Sequence, residues 1–273
     1  MKIKISADSV CDLTDELIEK HNIGIMHGYI VRGEVSYRDG IDITPEDIFN
    51  AVEAGAGVCT TSANNVADYT EMFSGYMEEY DAVIHFFISS QMSASYRNAC
   101  LAAEELGGNI YLIDSKNLST GVGMLVLKAA EMAAAGEDAL KIKETVEELR
   151  DKVEASFVIA KLDYLRKGGR CSAMAAFGAN LLNLKPCVEV KDGAMGVGKK
   201  YRGSFENCLE EYVRERLEGR DDIDYSRAFI THTRMDPALV EKIRQSVLLY
   251  APFEEIFETD ARDRKSTRLN SSH

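Results

Sequence analysis

The feature that most constrains this chain is the alternation, through its first half, of short apolar runs with stretches of helical spacing. Ile3 and Ile5 alternate with Lys2 and Lys4, the period-two signal of a strand over 1–7. Helical spacing follows over 13–20, and a second strand is expected over 23–31. Thr44-Pro45-Glu46-Asp47 marks a helix start, with Thr44 as N-cap, proline at the first helical position and acids in the first turn. A helix over 66–80 precedes the near-continuous apolar strand 82–88. A helix over 93–106, a strand over 109–113 and helices over 120–135 and 139–153 complete the pattern. Such a rhythm builds a mainly parallel sheet with helices on both faces. Loops leaving the strands then line the ligand crevice.

From about residue 155 the rhythm changes. A short strand over 157–160 leads to a basic, turn-rich segment at 163–170. Strands over 185–190 and 196–200 flank Lys191-Asp192-Gly193, a hairpin turn. A helix over 205–217, a strand over 228–231, a helix over 237–250 and a strand over 255–257 follow. The expected architecture is therefore α/β with two domains: an N-terminal α/β domain over 1–154 and a C-terminal α+β domain over 155–262. Residues 263–273, from Asp263 to His273, read like a translated sequencing adapter and are treated as a non-native tail. On that reading the second domain is C-terminally truncated. The tail carries three basic residues against one acid, so the remainder is more acidic than the whole.

At 273 residues and 45% hydrophobic, the chain can bury a substantial core. Its formal charge of −13 argues against a sequence-independent grip on nucleic acid, which needs clustered Lys and Arg. The same charge disfavours docking on anionic lipid. Six cysteines without a Cys-x-x-Cys pair fit a reducing compartment. No run approaches the ~18 apolar residues of a spanning helix. The expectation is a soluble, cytoplasmic protein without stable membrane insertion.

Four polar clusters fall where loops should leave strands or enter helices. They are Asp8-Ser9, Thr60 to Asn65, Ser89 to Tyr96, and Asp114 to Ser119. A hydroxyl before a helix has an ordinary role, capping orphan N–H groups. Four such loops on one sheet edge also make an anion cradle, suited to a carboxylate or phosphate. Arg170, behind Gly168-Gly169, is the candidate cation, with a surface salt bridge as its alternative role. The segment Gly193 to Lys200 nearly matches a phosphate-binding loop, but Lys200 stands where Ser or Thr must ligate Mg²⁺, and the hairpin context is wrong. No Gly-x-Ser-x-Gly elbow exists. The histidines lack metal-ligand spacing. His85, inside an apolar strand, reads as a satisfied core residue, and His232 as a strand-end histidine.

In their order these clusters resemble the DegV family. Ile5-Ser6-Ala7-Asp8-Ser9-Val10-Cys11-Asp12-Leu13 resembles its opening Thr-Asp-Ser-x-x-Asp-Leu signature, and Tyr37-Arg38-Asp39-Gly40-Ile41-Asp42-Ile43 is similar to its Tyr-x-Asp-Gly-x-Asp-Ile segment. Thr61-Ser62 opens like Thr-Ser-Gln-Pro-Ser, with Ala63 and Asn64 in place of Gln-Pro. Ser89 to Tyr96 resembles Ser-Ser-x-Leu-Ser-Gly-Thr-Tyr, with Met92, Ala94 and Ser95 substituted. Asp114-Ser115, Leu162 to Arg170 and Leu184-Lys185-Pro186 resemble family segments as well, and the resemblance runs from Met1 to about Ala261.

The resemblance implies a fold of two α/β domains enclosing a long-chain fatty acid in an interdomain apolar tunnel. It implies that Thr61, Ser62 and Ser93 hold the carboxylate, with Arg170 in the surrounding hydrogen-bond network and Asp8, Ser9 and Ser119 as pocket-lining candidates. It further implies a carrier, not an enzyme, needing no cofactor and no metal, that presents the fatty acid to a fatty acid kinase for phospholipid synthesis. The family's closing Ser-x-His-x-Gly-Pro-x-x-Leu-Gly segment has no counterpart after Ala261, so a site histidine and a core strand are expected to be missing. Two other readings stand beside this one. The same loops could serve an enzyme acting on a small phosphorylated or carboxylated metabolite, for which no general base or metal is visible. A protein with a purely interactive role would lack an apolar cavity.

Overall fold

The computed structural model describes residues 1–54, 59–160 and 184–261, with the side chains at 45, 49, 52, 53 and 260 left aside. Arg170, the basic segment 163–170 and the tail 263–273 lie outside the described residues, as do the expectations attached to them. The chain divides into two compact units. The first comprises Met1–Ala155 with Val190–Ala194, and the second the described residues of Ser156–Glu189 and Met195–Ala261.

The first unit runs β1 (Ile3–Asp8), α1 (Asp15–Lys20), β2 (Gly24–Met26), β3 (Tyr29–Arg32), β4 (Val35–Arg38) and α2 (Pro45–Glu53). It continues through β5 (Thr60–Ser62), α3 (Val66–Met77), β6 (Ala82–Phe87), α4 (Ser95–Leu106), β7 (Ile110–Asp114), α5 (Thr120–Ala134) and α6 (Ala139–Arg150). Four strands form a parallel sheet in the order β2-β1-β6-β7. Every residue of β6 is buried, as expected of a central parallel strand covered on both faces. Val83 and Phe87 of β6 pack with Tyr69 and Phe73 of α3 and Ala99 and Ala102 of α4. Helix α5 packs against β1, and α6 against β6 and β7.

Two expectations are corrected here. The single strand expected over 23–31 is two strands in two sheets. Strand β2 pairs with β1, while β3 joins an antiparallel sheet of order β4-β3-β5. The chain changes sheets at His27–Gly28, where the Gly28 carbonyl accepts from Asp39 N–H and His27 Nδ1 lies 2.6 Å from the Asp39 carbonyl. An apolar run alone does not reveal that its hydrogen bonds go to different neighbours. Gly24 fixes the first half, because a Cβ there would overlap the Tyr76 hydroxyl. Second, Thr60 to Asn65 is not wholly a loop: Thr60–Ser62 is β5, with Thr61 opposite Ile30. Only Asn65 takes the expected capping role, in a box with Asp68 (2.9 and 3.0 Å).

The second unit contains β8 (Ser156–Val158), β9 (Leu184–Lys191), β10 (Ala194–Arg202), α7 (Phe205–Leu217), β11 (Arg227–His232), α8 (Pro237–Tyr250) and β12 (Glu255–Asp260). A sheet of order β10-β9-β8 and a parallel pair β11-β12 result. Asp192 and Gly193 have φ of 51° and 83°, the paired positive values of a type I′ hairpin. The segment that nearly matches a phosphate-binding loop is thus this turn and β10. Its lysines serve the surface, Lys199 bridging Glu211 (3.0 Å) and Glu215 of α7.

Candidate hydroxyl site at the strand ends

Asp8 ends β1 and His85 lies on the adjoining β6, where the register places it beside Ser6. Ser6 Oγ is 2.8 Å from His85 Nδ1, and His85 Nε2 is 3.3 Å from Asp8 Oδ1. Because a carboxylate only accepts, the proton belongs on Nε2 and the Ser6 hydroxyl donates to Nδ1. The trio resembles a hydrolase constellation, yet Ser6 and His85 are both 0% exposed. No substrate reaches that hydroxyl, so His85 is the satisfied core residue that its strand context implied.

Asp8 has another neighbour. Tyr69 of α3, also fully buried, donates its O–H to Asp8 Oδ1 at 2.9 Å. Burial, followed by the Asp8 charge, pushes the Tyr69 phenol well above its ordinary range, keeping it a donor. Ser95 Oγ lies 3.0 Å from Ser93 Oγ, and Asn98 Nδ2 donates to the Asn64 carbonyl at 2.7 Å. The structure thus holds one hydrogen-bonded pair at Asp8 and Tyr69 and another at Ser93 and Ser95.

Thr61 is placed differently. Its Oγ1 is buried and has no hydrogen-bond partner among the described residues, and the same holds for Oδ1 of Asn64, whose residue is 2% exposed. A buried polar atom without a partner costs about 1–3 kcal/mol, so such atoms mark where something else completes the structure. Ser62 is exposed, and among the described residues its hydroxyl meets only the Ala63 carbonyl, at 3.4 Å.

The remaining candidates have internal duties. Ser9 Oγ accepts from Gly28 N–H at 3.3 Å. Ser119, with φ of 51°, donates to Asp12 Oδ2 at 2.5 Å, tying the start of α5 to the turn after β1. Ser89 donates to the Gly193 carbonyl (2.6 Å), and Ser90 to Asp114 Oδ2 (2.5 Å). Ser115 Oγ donates to the Asn117 carbonyl at 3.3 Å. His232 pairs with Glu258 at 3.1 Å on β11 and β12.

Sequence reasoning overlooked Tyr69 and Ser6. A usable signal existed for each. Tyr at a fully buried helix position needs a partner for its hydroxyl, and Ser6 puts a hydroxyl between Ile5 and Ala7 of a strand. Two surface grooves lie elsewhere. One of about 610 Å³ runs between α7 and α8, lined by Glu210, Glu211, Arg214 and Lys242 among others. One of about 400 Å³ is lined by Arg32, Asp42 and Asp47 among others. Charged walls of this kind do not suit an acyl chain.

A parallel-sheet unit with buried hydroxyls at its strand ends, followed by a smaller unit of mixed sheets, defines a two-unit α/β protein. The chain belongs to the DegV family, matching over residues 2–260 the family described as "Uncharacterised protein, DegV family". A DegV domain-containing protein of Clostridium perfringens is 33% identical over 260 residues, covering 95% of this chain and 88% of that protein. A Thermus thermophilus DegV family structure, described by its fatty acid binding, has a TM-score of 0.85 at 31% identity, covering 99% of this chain and 96% of the other. A stearic acid-binding protein from Eubacterium ventriosum gives 0.81 at 26%, covering 98% and 94%. The mixed α/β fold is that of these structures. Among the described residues, no helix is long and apolar enough to cross a membrane.

Proposed function

We propose that this protein is a cytoplasmic carrier of one long-chain fatty acid. Thr61, Ser62 and Ser93 hold the carboxyl head group, Arg170 completes the network, and an apolar tunnel takes the acyl chain. The cargo is presented to a fatty acid kinase, whose acyl-phosphate product feeds phospholipid synthesis. The reading assigns no catalytic residue, metal or cofactor to this chain.

The observation that carries it is the buried Thr61 hydroxyl, which has no partner among the described residues. The Thermus and Eubacterium structures, both described as fatty acid binders, supply the ligand class. Magnitudes fit a division of labour. Burying about fifteen methylenes at ~0.8 kcal/mol each offers roughly 12 kcal/mol before association costs. Hydrogen bonds to a charged head group add about 1.5–3 kcal/mol each. The tail dominates affinity, and the hydroxyls set orientation.

Lipid extraction and native mass spectrometry of the purified protein test the reading. The expected result is one acyl ligand per chain. Repeated preparations without one, after supplementation with fatty acid, would overturn it.

A further inference from the structure

Asn64 lies just beyond β5 and is 2% exposed, so whatever its amide bonds to is inside the protein. The ordinary duty of an asparagine before a helix is capping, but Asn65 takes that duty for α3. The backbone of Asn64 is pinned, its carbonyl accepting from Asn98 Nδ2 at 2.7 Å. Asn98 is in the first turn of α4, three residues after Ser95, whose Oγ is 3.0 Å from that of Ser93. Asn64 is therefore fastened to the helix start that carries Ser93, and it follows Thr61 by three residues on the same stretch of chain. Its Oδ1 is buried and, like Thr61 Oγ1, has no hydrogen-bond partner among the described residues. The two atoms need different partners. A threonine hydroxyl donates, which suits a carboxylate, whereas an amide oxygen only accepts. A carboxylate has no proton to give it, so Thr61 and Asn64 together call for an anion with an O–H donor at its side.

We propose that Asn64 Oδ1 is a further contact for the ligand head group and receives an O–H donor beside the carboxylate. That donor is the 2-hydroxyl of a 2-hydroxy fatty acid, or a water held between the amide and the carboxylate. The inference rests on the carrier reading and adds a specificity-determining residue to it. In a 2-hydroxy acid the hydroxyl and the carboxylate are on adjacent carbons, so one compact end group donates to Asn64 while accepting from Thr61. A bridging water does the same for an unsubstituted acid, giving one proton to each partner.

The test uses the full chain stripped of lipid, in wild type, Asn64→Ala and Asn64→Leu. Palmitate, the two enantiomers of 2-hydroxypalmitate and hexadecane each compete against the fluorescent cis-parinaric acid. With the ligand hydroxyl as donor, the wild type binds one enantiomer about 3–10-fold more tightly than palmitate, the worth of one hydrogen bond, and both variants abolish the preference. With water as donor, the wild type binds palmitate at least as tightly as either enantiomer, and both variants weaken palmitate by about 3–10-fold. Hexadecane, which has no head group, should compete equally well in all three proteins. Affinities for the acids that are unchanged in both variants overturn the inference while the carrier reading stands. So does a loss for hexadecane equal to the loss for the acids, which marks a disturbed tunnel. Failure of the wild type to bind any of the acids overturns both.

Discussion

Ser6→Ala deletes one oxygen from the middle of the parallel sheet, and its cost follows from burial. Ser6 and His85 are both 0% exposed, and their bond is 2.8 Å. Without Ser6 Oγ, His85 Nδ1 keeps its lone pair in a site closed to solvent, a penalty of about 1–3 kcal/mol. Taking about 2 kcal/mol, and ~2–4 °C per kcal/mol for a domain of this size, the melting point should fall by about 4–8 °C. His85→Phe removes the same bond from the other side and strips Asp8 of one donor. The double variant should therefore lose at least ~1 kcal/mol less than the two single losses combined. Urea unfolding followed by far-UV circular dichroism and tyrosine fluorescence measures all three; the chain has no tryptophan to interfere. Unchanged m-values would confirm that the variants share one reference state. A Ser6→Ala cost below ~0.5 kcal/mol, or a fully additive cycle, would refute the claim that this pair is dry and mutually dependent.

Ser93→Ala should weaken presentation to a fatty acid kinase more than lipid retention, since the acyl chain supplies most of the affinity; equal losses in acyl-phosphate formation and retained lipid would contradict this. Asp47 has its carboxyl held below the usual range by the Thr44 hydroxyl and then the Thr44 N–H. A depressed carboxyl contributes stability that is present above its unfolded pKa of about 3.9 and is lost as pH falls through the folded value. Amide protection of α2 should accordingly drop on acidification below about pH 4 in the wild type, with a flatter profile in Asp47→Asn. Burial pushes the Cys187 and Cys208 thiols up, so iodoacetamide at pH 7.5 should label them only in urea. Labelling of the native protein, mapped by peptide analysis, would contradict their placement in the second unit's core.

Much of the fold was legible because the signals are local. The helices expected over 205–217 and 237–250 are found with those bounds, Ser204 and Asp236 accepting from Asn207 and Ala238 N–H at 3.2 and 2.9 Å. Asp192–Gly193 declares its turn through backbone conformations that few residues adopt. The sheet containing β3, β4 and β5 was not legible. Its strands are only three or four residues long, too short for a period, and pairing is a property of the partner as much as of the strand. The family resemblance directed attention to Thr61 and Ser93 but said nothing of Tyr69. That residue's role depends on Asp8, 61 positions away, and no spacing rule reaches so far.

What separates a structural hydroxyl from a ligand hydroxyl here is where its proton can go. Ser89, Ser90, Ser115 and Ser119 each donate to a carbonyl or carboxylate of their own unit, so each stabilises a loop and has nothing left to give. Thr61, opposite Ile30 on β5, has no recipient among the described residues. For the rigidity of β5 alone valine would serve better than that threonine, having the same shape and no unsatisfied oxygen. In the proposed carrier the ligand head group supplies the missing bond and offsets that cost of about 1–3 kcal/mol. Thr61→Val should therefore stabilise the ligand-free protein while weakening its hold on the head group.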